Sequence, residues 1–194
     1  MKKFTTISLA TVLTVVGCSA SISKATSDDV MTNATSVTPV PKTKPSSTTN
    51  PLLKKANAFR DKQVRNHARM TSIVKYLKTR VSKTSYVFSG STPYGWDCSG
   101  MVRWAYAQFG LDIPHSANKQ AHLGSRVSRP VPGDIVVFAY AGSTNFYHSA
   151  IYIGNGKIVH AHQQRKTTVI EPLSNYKRSQ IRFVRIVEQA NWLH

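Results

Sequence analysis

The sequence is poor in acidic residues, in cysteine and in long apolar runs, and each shortage has a consequence. Only 8 Asp and Glu stand against 26 Lys and Arg, which gives a formal net charge of +18. The 2 cysteines are too few for a disulfide-dense scaffold or for a zinc site made of cysteines alone. No apolar run reaches the roughly 20 residues that a membrane helix needs. With 194 residues, 41% of them hydrophobic, the chain suits one packed domain with additional segments rather than two large domains.

The N-terminus has the features of an export signal. Lys2 and Lys3 precede an apolar run at residues 7–16, which suits a signal peptide and is too short for a membrane span. We therefore predict a signal peptide at residues 1–20 and an exported protein that is secreted, associated with the cell wall or lipid-anchored to the membrane. Two processing routes are open. The residues that end at Cys18 resemble a lipobox, in which that cysteine is lipidated, whereas cleavage just beyond it releases a soluble protein.

Composition divides the rest of the chain into three parts. Residues 21–50 are rich in Ser, Thr and Pro and lack aromatic residues, which is typical of a flexible linker. Residues 51–83 carry apolar side chains at three- and four-residue steps after Asn50, which predicts a helix with room for one break near Gln63. Residues 84–194 have the mixed pattern of a compact domain.

The predicted helical segment is strongly basic. Residues 51–81 hold nine Lys and Arg but a single acidic residue, Asp61. Two interpretations are open: a solvated basic face on a helix that packs against the domain, or a surface that attracts an anionic wall polymer such as teichoic acid, or membrane lipid headgroups. Nucleic acid is not expected as a partner, because the protein is predicted to be exported and has no nucleic-acid-binding motif.

Within the compact domain, a helical pattern comes first and strand patterns follow. An apolar stripe predicts a helix over residues 98–109, with Gly110 at its end. Residues 111–131 are mostly polar and are expected to be irregular. Five strands are predicted after the Pro132-Gly133 turn, at residues 134–140, 148–153, 157–162, 168–171 and 181–187. This order, with short connections, indicates an α+β fold rather than a doubly wound sheet.

Cys98 has the surroundings of a nucleophile. It lies where a loop becomes a helix, and the partial positive charge of a helix N-terminus favours a thiolate. Its neighbours Ser99 and Gly100 are small and leave room for a substrate. A nucleophilic cysteine also needs a nearby base and a group that orients the base, and the strands after residue 147 carry histidines that qualify. On these residues alone, an inert buried cysteine and a three-histidine zinc site stay open as alternatives.

The length of the loop at residues 154–156 decides whether the histidines meet. With a three-residue loop, His148 lies opposite His162, and His160 shares their face of the sheet. A two-residue Asn155-Gly156 turn shifts the register by one and turns His148 away from His160. The catalytic hypothesis therefore predicts the three-residue loop.

Five sequence blocks between residues 84 and 187 resemble, in order and spacing, the signature of the NlpC family of cell-wall cysteine peptidases. They are YVFSG at 86–90, PYGWDCSG at 93–100, PGDIVVF at 132–138, HSAIYIGNG at 148–156 and VHA at 159–161. Any one block is a weak signal, but together they are specific. The resemblance implies a papain-like α+β fold in which the nucleophile-bearing helix packs on an antiparallel sheet of about five strands.

The resemblance also implies an activity and the residues that carry it. Family members hydrolyse peptidoglycan stem peptides, many of them between γ-D-glutamate and the diamino acid, and no metal or other cofactor is expected. By matching position, Cys98 is the nucleophile, His148 is the general base and later acid, and His160 orients His148. The backbone N–H of Cys98 and the hydroxyl of Tyr86 would stabilise the oxyanion. We expect the protein to act as a monomer.

Two further residues follow from the resemblance: Asp97 and Ser99 match positions that help some relatives to bind the free amine of the stem peptide, although Asp97 also suits a helix cap. The sequence departs from the family pattern modestly at residues 89–90 and 149–150.

Two rival functions stay open. One is an N-acetylmuramoyl-L-alanine amidase, and the other is a catalytically silent module that binds the cell wall.

Overall fold

The computed structural model of the chain describes residues 50–190. The predicted signal peptide, the lipobox at Cys18 and all but the last residue of the predicted linker lie outside these residues. Within the described part of the chain, no helix is both long enough and apolar enough to span a membrane.

The described residues form three α-helices and eight strands. In chain order they are α1 (Pro51–Thr79), β1 (Ser91–Thr92), β2 (Gly95–Trp96), α2 (Cys98–Ala107), α3 (Ala117–Gln120), β3 (Ser125–Val127), β4 (Ile135–Tyr140), β5 (Phe146–Gly154), β6 (Lys157–His162), β7 (Thr167–Pro172) and β8 (Ser179–Arg185). A 3-10 turn at Leu173–Tyr176 joins the last two strands.

The main sheet has six antiparallel strands in the order β3-β8-β4-β5-β6-β7. The predicted α+β fold with an antiparallel sheet is confirmed, and all five predicted strands are present. The sixth strand, β3, and the short helix α3 fall within residues 111–131, which the sequence predicts to be irregular. Both are short and polar, so neither has a hydrophobic period that could reveal it.

The basic helix α1 is more regular than predicted. Asn50 caps it, since its side-chain oxygen accepts the N–H of Leu52 at 3.0 Å, and Pro51 occupies the first turn. The break predicted near Gln63 is wrong, because α1 continues through it to Thr79. Among residues 51–65, every side chain except that of Gln63 is exposed.

The second half of α1 belongs to the domain core. Its buried face joins the cluster that α2 forms against the sheet, through the side chains of Met70, Ile73, Val74 and Leu77. Burial of these four apolar side chains supplies the tertiary packing that a single long helix needs. The predicted boundary between residues 83 and 84 therefore divides two parts of one core.

Helix α2 packs on the sheet, mainly against β5 and also against β6. Its apolar face is buried through Met101, Val102, Ala105 and Tyr106. Strand β4 alternates between two clusters, with Ile135, Val137 and Ala139 facing the helices and Val136 and Phe138 facing the other side. The sheet thus has a covered face that positions α2 and a second face that packs against the 3-10 turn.

The β5–β6 hairpin reaches the predicted register by a different route. The turn has two residues, Asn155 and Gly156, both with positive φ of 52° and 66°, so the predicted three-residue loop is wrong. A bulge between Tyr152 and Gly154 adds one residue and compensates for the shorter turn. Ile151 consequently pairs with Val159, and this register, continued along the strands, brings the histidines of both strands to one face.

Candidate active site

Cys98 is the first residue of α2 and is half-buried. Asp97 caps the helix, since its Oδ1 accepts the backbone N–H of Gly100 at 2.7 Å. Burial raises the pKa of the Cys98 thiol; the backbone of Ser149 opposes this effect, and the charge of Asp97 adds to it. Desolvation therefore outweighs the helix N-terminus, and the cysteine needs a base to become a thiolate.

Two histidines on neighbouring strands lie within hydrogen-bonding distance of each other. His148 on β5 and His160 on β6 lie 2.9 Å apart from Nε2 to Nδ1, with their rings almost perpendicular at 82°. Because Nε2 of His148 faces His160, Nδ1 of His148 is the nitrogen that can take a proton from a thiol. His148 and Cys98 line the same cleft.

Both histidines are held in the neutral form. Burial, reinforced by the neighbouring His160 and His162, lowers the pKa of His148 to about 3. Burial also lowers the pKa of His160 to about 4, although Glu171 acts in the opposite direction. At neutral pH each imidazole therefore has one nitrogen with a free lone pair, which can accept a hydrogen bond or a proton.

The sequence prediction missed Glu171, a carboxylate behind His160. Its Oε2 lies 3.2 Å from Nε2 of His160 and accepts the Tyr176 hydroxyl at 2.7 Å, and its Oε1 lies 2.8 Å from the guanidinium of Arg165. Strand alternation was the available signal. Glu171 pairs with Ile158, which shares a face of β6 with His160.

Tyr86 lines the same cleft as Cys98. Burial, together with the charges of Cys98 and Asp97, raises the pKa of Tyr86. The hydroxyl consequently keeps its proton and can donate a hydrogen bond to a developing oxyanion.

Asp97 and Ser99 lie beneath the cleft rather than along it. Both are 7% exposed. Besides capping α2, the Asp97 carboxylate accepts the Ser99 hydroxyl at 3.1 Å and the backbone N–H of Ser89 at 2.9 Å, and lies 2.8 Å from Nε2 of His115. These contacts hold the loop and the start of α2 in place around Cys98.

The cleft has a volume of about 300 Å³ and a rim rich in tyrosine. It is lined by Tyr86, Cys98, Tyr140, Tyr147, His148, His160, His162, Gln163, Gln164 and Tyr176. His162 stands next to His160, with ring centroids 5.4 Å apart. Among residues 50–190, no group of three His, Cys, Asp or Glu side chains is arranged to hold a metal ion.

A helix that begins with a cysteine and packs on an antiparallel sheet, whose adjacent strands carry the histidines, is the papain-like arrangement. The NlpC/P60 family model matches residues 83–186, just over half of the chain. The chain therefore belongs to the NlpC/P60 family, and the resemblance seen in the sequence blocks is confirmed.

Individual relatives agree with this assignment. The chain is 41% identical over 93 residues to a probable endopeptidase of Mycobacterium tuberculosis, covering 47% of this chain and 23% of that protein. It is 36% identical over 104 residues to the gamma-DL-glutamyl hydrolase of Bacillus subtilis, covering 52% of this chain and 25% of that one. The chain thus spans about a quarter of the length of these two curated relatives.

The NlpC/p60 domain in the crystal structure of the peptidoglycan hydrolase SagA superposes on this chain with a TM-score of 0.51 and 27% identity. The match covers 61% of this chain and 98% of that domain.

Proposed function

We propose that the chain is an exported cysteine endopeptidase that cleaves peptidoglycan stem peptides between γ-D-glutamate and the diamino acid. The observation that carries the proposal is the alignment of His148 and His160 beside Cys98 on an NlpC/P60 fold. A fold alone does not define an activity. These three side chains supply the nucleophile, the base and the orienting group that acyl transfer needs.

In the first half of the proposed reaction, Nδ1 of His148 takes the proton of the Cys98 thiol as the sulfur attacks the carbonyl carbon of the γ-glutamyl bond. The carbonyl oxygen becomes negatively charged and accepts hydrogen bonds from the backbone N–H of Cys98 and from the hydroxyl of Tyr86. Such a donor is typically worth about 3 kcal/mol in the transition state. His148 then gives its proton to the leaving amine, and a thioester remains on Cys98.

In the second half, His148 takes a proton from a water molecule that attacks the thioester. The tetrahedral intermediate uses the same two oxyanion donors, and its collapse releases the glutamate γ-carboxylate and returns the proton to the Cys98 sulfur. His148 starts and ends each half of the cycle neutral, which is the form that its lowered pKa favours in the free enzyme.

The name of the Bacillus subtilis relative, a gamma-DL-glutamyl hydrolase, supports the choice of a γ-glutamyl bond. Asp97 and Ser99 stay in the proposal as the residues that bind the free amine of the stem peptide. Because the carboxylate of Asp97 already has several partners, direct binding of an ammonium group requires one of these hydrogen bonds to be replaced.

Mass spectrometry of purified muropeptides after digestion tests the proposal. New fragments that end in γ-D-glutamate are expected. Cleavage at the lactyl amide would replace the proposal with the amidase alternative, and intact muropeptides would favour a silent wall-binding module.

We also propose that the exposed half of α1, residues 51–65, holds the enzyme near an anionic wall polymer. This half carries five Lys and Arg and one Asp, and all of these charged side chains are exposed. A group of exposed positive charges attracts a polyanion, and salt weakens that attraction. Retention on isolated walls should therefore fall steeply as salt rises. Salt-insensitive retention, or retention on anionic vesicles but not on walls, would contradict the proposal.

A further inference from the structure

We propose that Glu171 is a positioning residue for the reaction, because its carboxylate fixes which ring nitrogens of His160 and His148 carry protons. This inference rests on the proposed cysteine chemistry, but it can be tested without the peptidoglycan substrate. The tautomer of a histidine is set by the hydrogen bond that its second nitrogen makes.

The geometry forms one line of hydrogen-bonding atoms. Oε2 of Glu171 lies 3.2 Å from Nε2 of His160, and Nδ1 of His160 lies 2.9 Å from Nε2 of His148. His160 thus uses Nε2 towards Glu171 and Nδ1 towards His148, and His148 uses Nε2 towards His160. The line begins at a carboxylate on β7, crosses β6 and ends on β5 beside Cys98.

The carboxylate at the start of this line is buried and ionised. Glu171 is 5% exposed and His160 is 1% exposed. Burial opposes ionisation of Glu171, but the Tyr176 hydroxyl, His160 and Arg165 together outweigh it, so the pKa of this carboxyl is lowered. A buried carboxylate with three partners is far less costly than an unpaired one.

The proton positions then follow from the donor and acceptor properties of each group. An ionised carboxylate only accepts hydrogen bonds, so Nε2 of His160 must carry a proton to bond with Glu171. In neutral His160 that leaves Nδ1 as an acceptor, and Nε2 of His148 must donate to it. Neutral His148 therefore has its lone pair on Nδ1, the nitrogen that is to take the proton of Cys98. One carboxylate thus sets two tautomers.

The same line stabilises the charge that appears on His148 during the reaction. Once His148 holds two protons, its Nε2–H donates to His160, whose other nitrogen donates to the anionic Glu171. The other titratable groups around the two rings are Tyr147, His162, Arg165, Tyr176, Tyr86 and Cys98. Arg165 is the permanent cation among them, and it contacts the opposite oxygen of Glu171 at its exposed edge.

The test is the rate at which iodoacetamide alkylates Cys98 in the Glu171→Gln variant, measured against pH. Glutamine has nearly the same shape as glutamate but no charge. We expect alkylation to be about tenfold slower than in the unmodified protein near neutral pH, where the thiol depends on His148. The two rates should converge at high pH, once the pH exceeds the raised pKa of the thiol and the thiol ionises without help.

Glu188→Gln is the matched control, because Glu188 is exposed and lies in a groove formed with α1, away from the cleft. It should leave the alkylation profile unchanged. An unchanged profile in Glu171→Gln would overturn the proposal. So would a slowing that is the same at every pH, since that is the effect of a loosened structure rather than of a lost proton acceptor.

Nitrogen NMR of the unmodified protein provides a test that does not depend on a variant folding. The proposal requires a proton on Nε2 of both His160 and His148, and the opposite tautomer of either ring would overturn it. Muropeptide cleavage is followed in parallel. If alkylation behaves as expected but no muropeptide is cut, the proposed substrate is wrong and the positioning role of Glu171 stands.

Discussion

The cleft around Cys98 and the exposed half of α1 handle charge in opposite ways. Beside the cleft, the buried carboxylate of Glu171 has three partners, and His148 and His160 are kept neutral by burial. Along residues 51–65, basic side chains are numerous and solvated. Buried electrostatics is little affected by salt, whereas solvated charges are screened within about 10 Å at 0.1 M salt. In the proposed function, chemistry and attachment therefore occupy separate parts of the molecule.

The largest expected effect is the loss of cleavage, without loss of wall retention, when His148 is replaced. His148→Gln removes the base, so stem-peptide cleavage should fall by at least about 10⁴-fold. Retention of the variant on isolated walls should stay unchanged, because none of the basic residues of α1 is altered. Cleavage rates on a soluble stem peptide, and a wall sedimentation assay, measure the two properties. Joint loss of both would show that the cleft also provides the attachment.

The next effect distinguishes two neighbouring histidines of the cleft. His160→Ala removes the hydrogen-bond partner of His148 and should lower cleavage by about 100-fold, since the base loses its orientation. His162→Ala leaves that pair intact and should cost less than about threefold. Steady-state kinetics on the same stem peptide measures both variants. The reverse order would assign the orienting role to His162.

A smaller effect is expected from charge removal on α1. Replacement of Lys54, Arg60 and Arg65 by glutamine should weaken retention on walls about tenfold at low salt, because three exposed cations are lost. Cleavage of a soluble stem peptide should not change.

The matched control for this triple variant carries glutamine at Lys83, Arg126 and Lys157. These three residues are exposed cations outside α1. Equal weakening by both sets would mean that net charge, rather than the exposed half of α1, governs attachment. The two variants are compared in the same sedimentation assay over a series of salt concentrations.

A different kind of effect, on stability rather than on rate or retention, is expected from protonation of the two histidines in the cleft. His148 and His160 have folded pKa values of about 3 and about 4, below the ordinary value of 6.5. The unfolded chain therefore binds protons that the folded chain does not, and the free energy of unfolding should fall as pH drops from about 6.5 to 4. Each histidine contributes a slope of up to about 1.4 kcal/mol per pH unit.

Urea unfolding at a series of pH values measures this slope. His148→Gln should make it shallower, because one of the two titrating rings is gone. His122→Gln, a change at an exposed histidine outside the cleft, should leave it as it is. An unchanged slope in His148→Gln would show that burial does not hold this histidine neutral.

The sequence was informative where short-range patterns carry the information. The loop-to-helix transition at Cys98 and the alternation of β5 and β6 placed the three motif residues on the elements that hold them. The predicted length of the β5–β6 loop was wrong, because a hairpin with a two-residue loop and a bulge ends in the same register as one with a three-residue loop. No local pattern distinguishes these two hairpins.

Long-range packing accounts for the other differences. The polar gap at Gln63 suggested a break in α1, yet burial of Met70 and Leu77 in the core stabilises one continuous helix. The sequence does not reveal Glu171, because its place beside His160 depends on the pairing of β7 with β6 and on contacts with Tyr176 and Arg165. None of these contacts is a motif, so the three-dimensional arrangement was needed to find them.

The most direct test of the account is the comparison of the unmodified protein with Cys98→Ala on the same muropeptides, followed by mass spectrometry. The substitution removes only the sulfur at the start of α2, so circular dichroism and retention on walls should match those of the unmodified protein. We expect the unmodified protein to release muropeptide fragments that end in γ-D-glutamate, and the variant to release none. The same fragments from Cys98→Ala would contradict it.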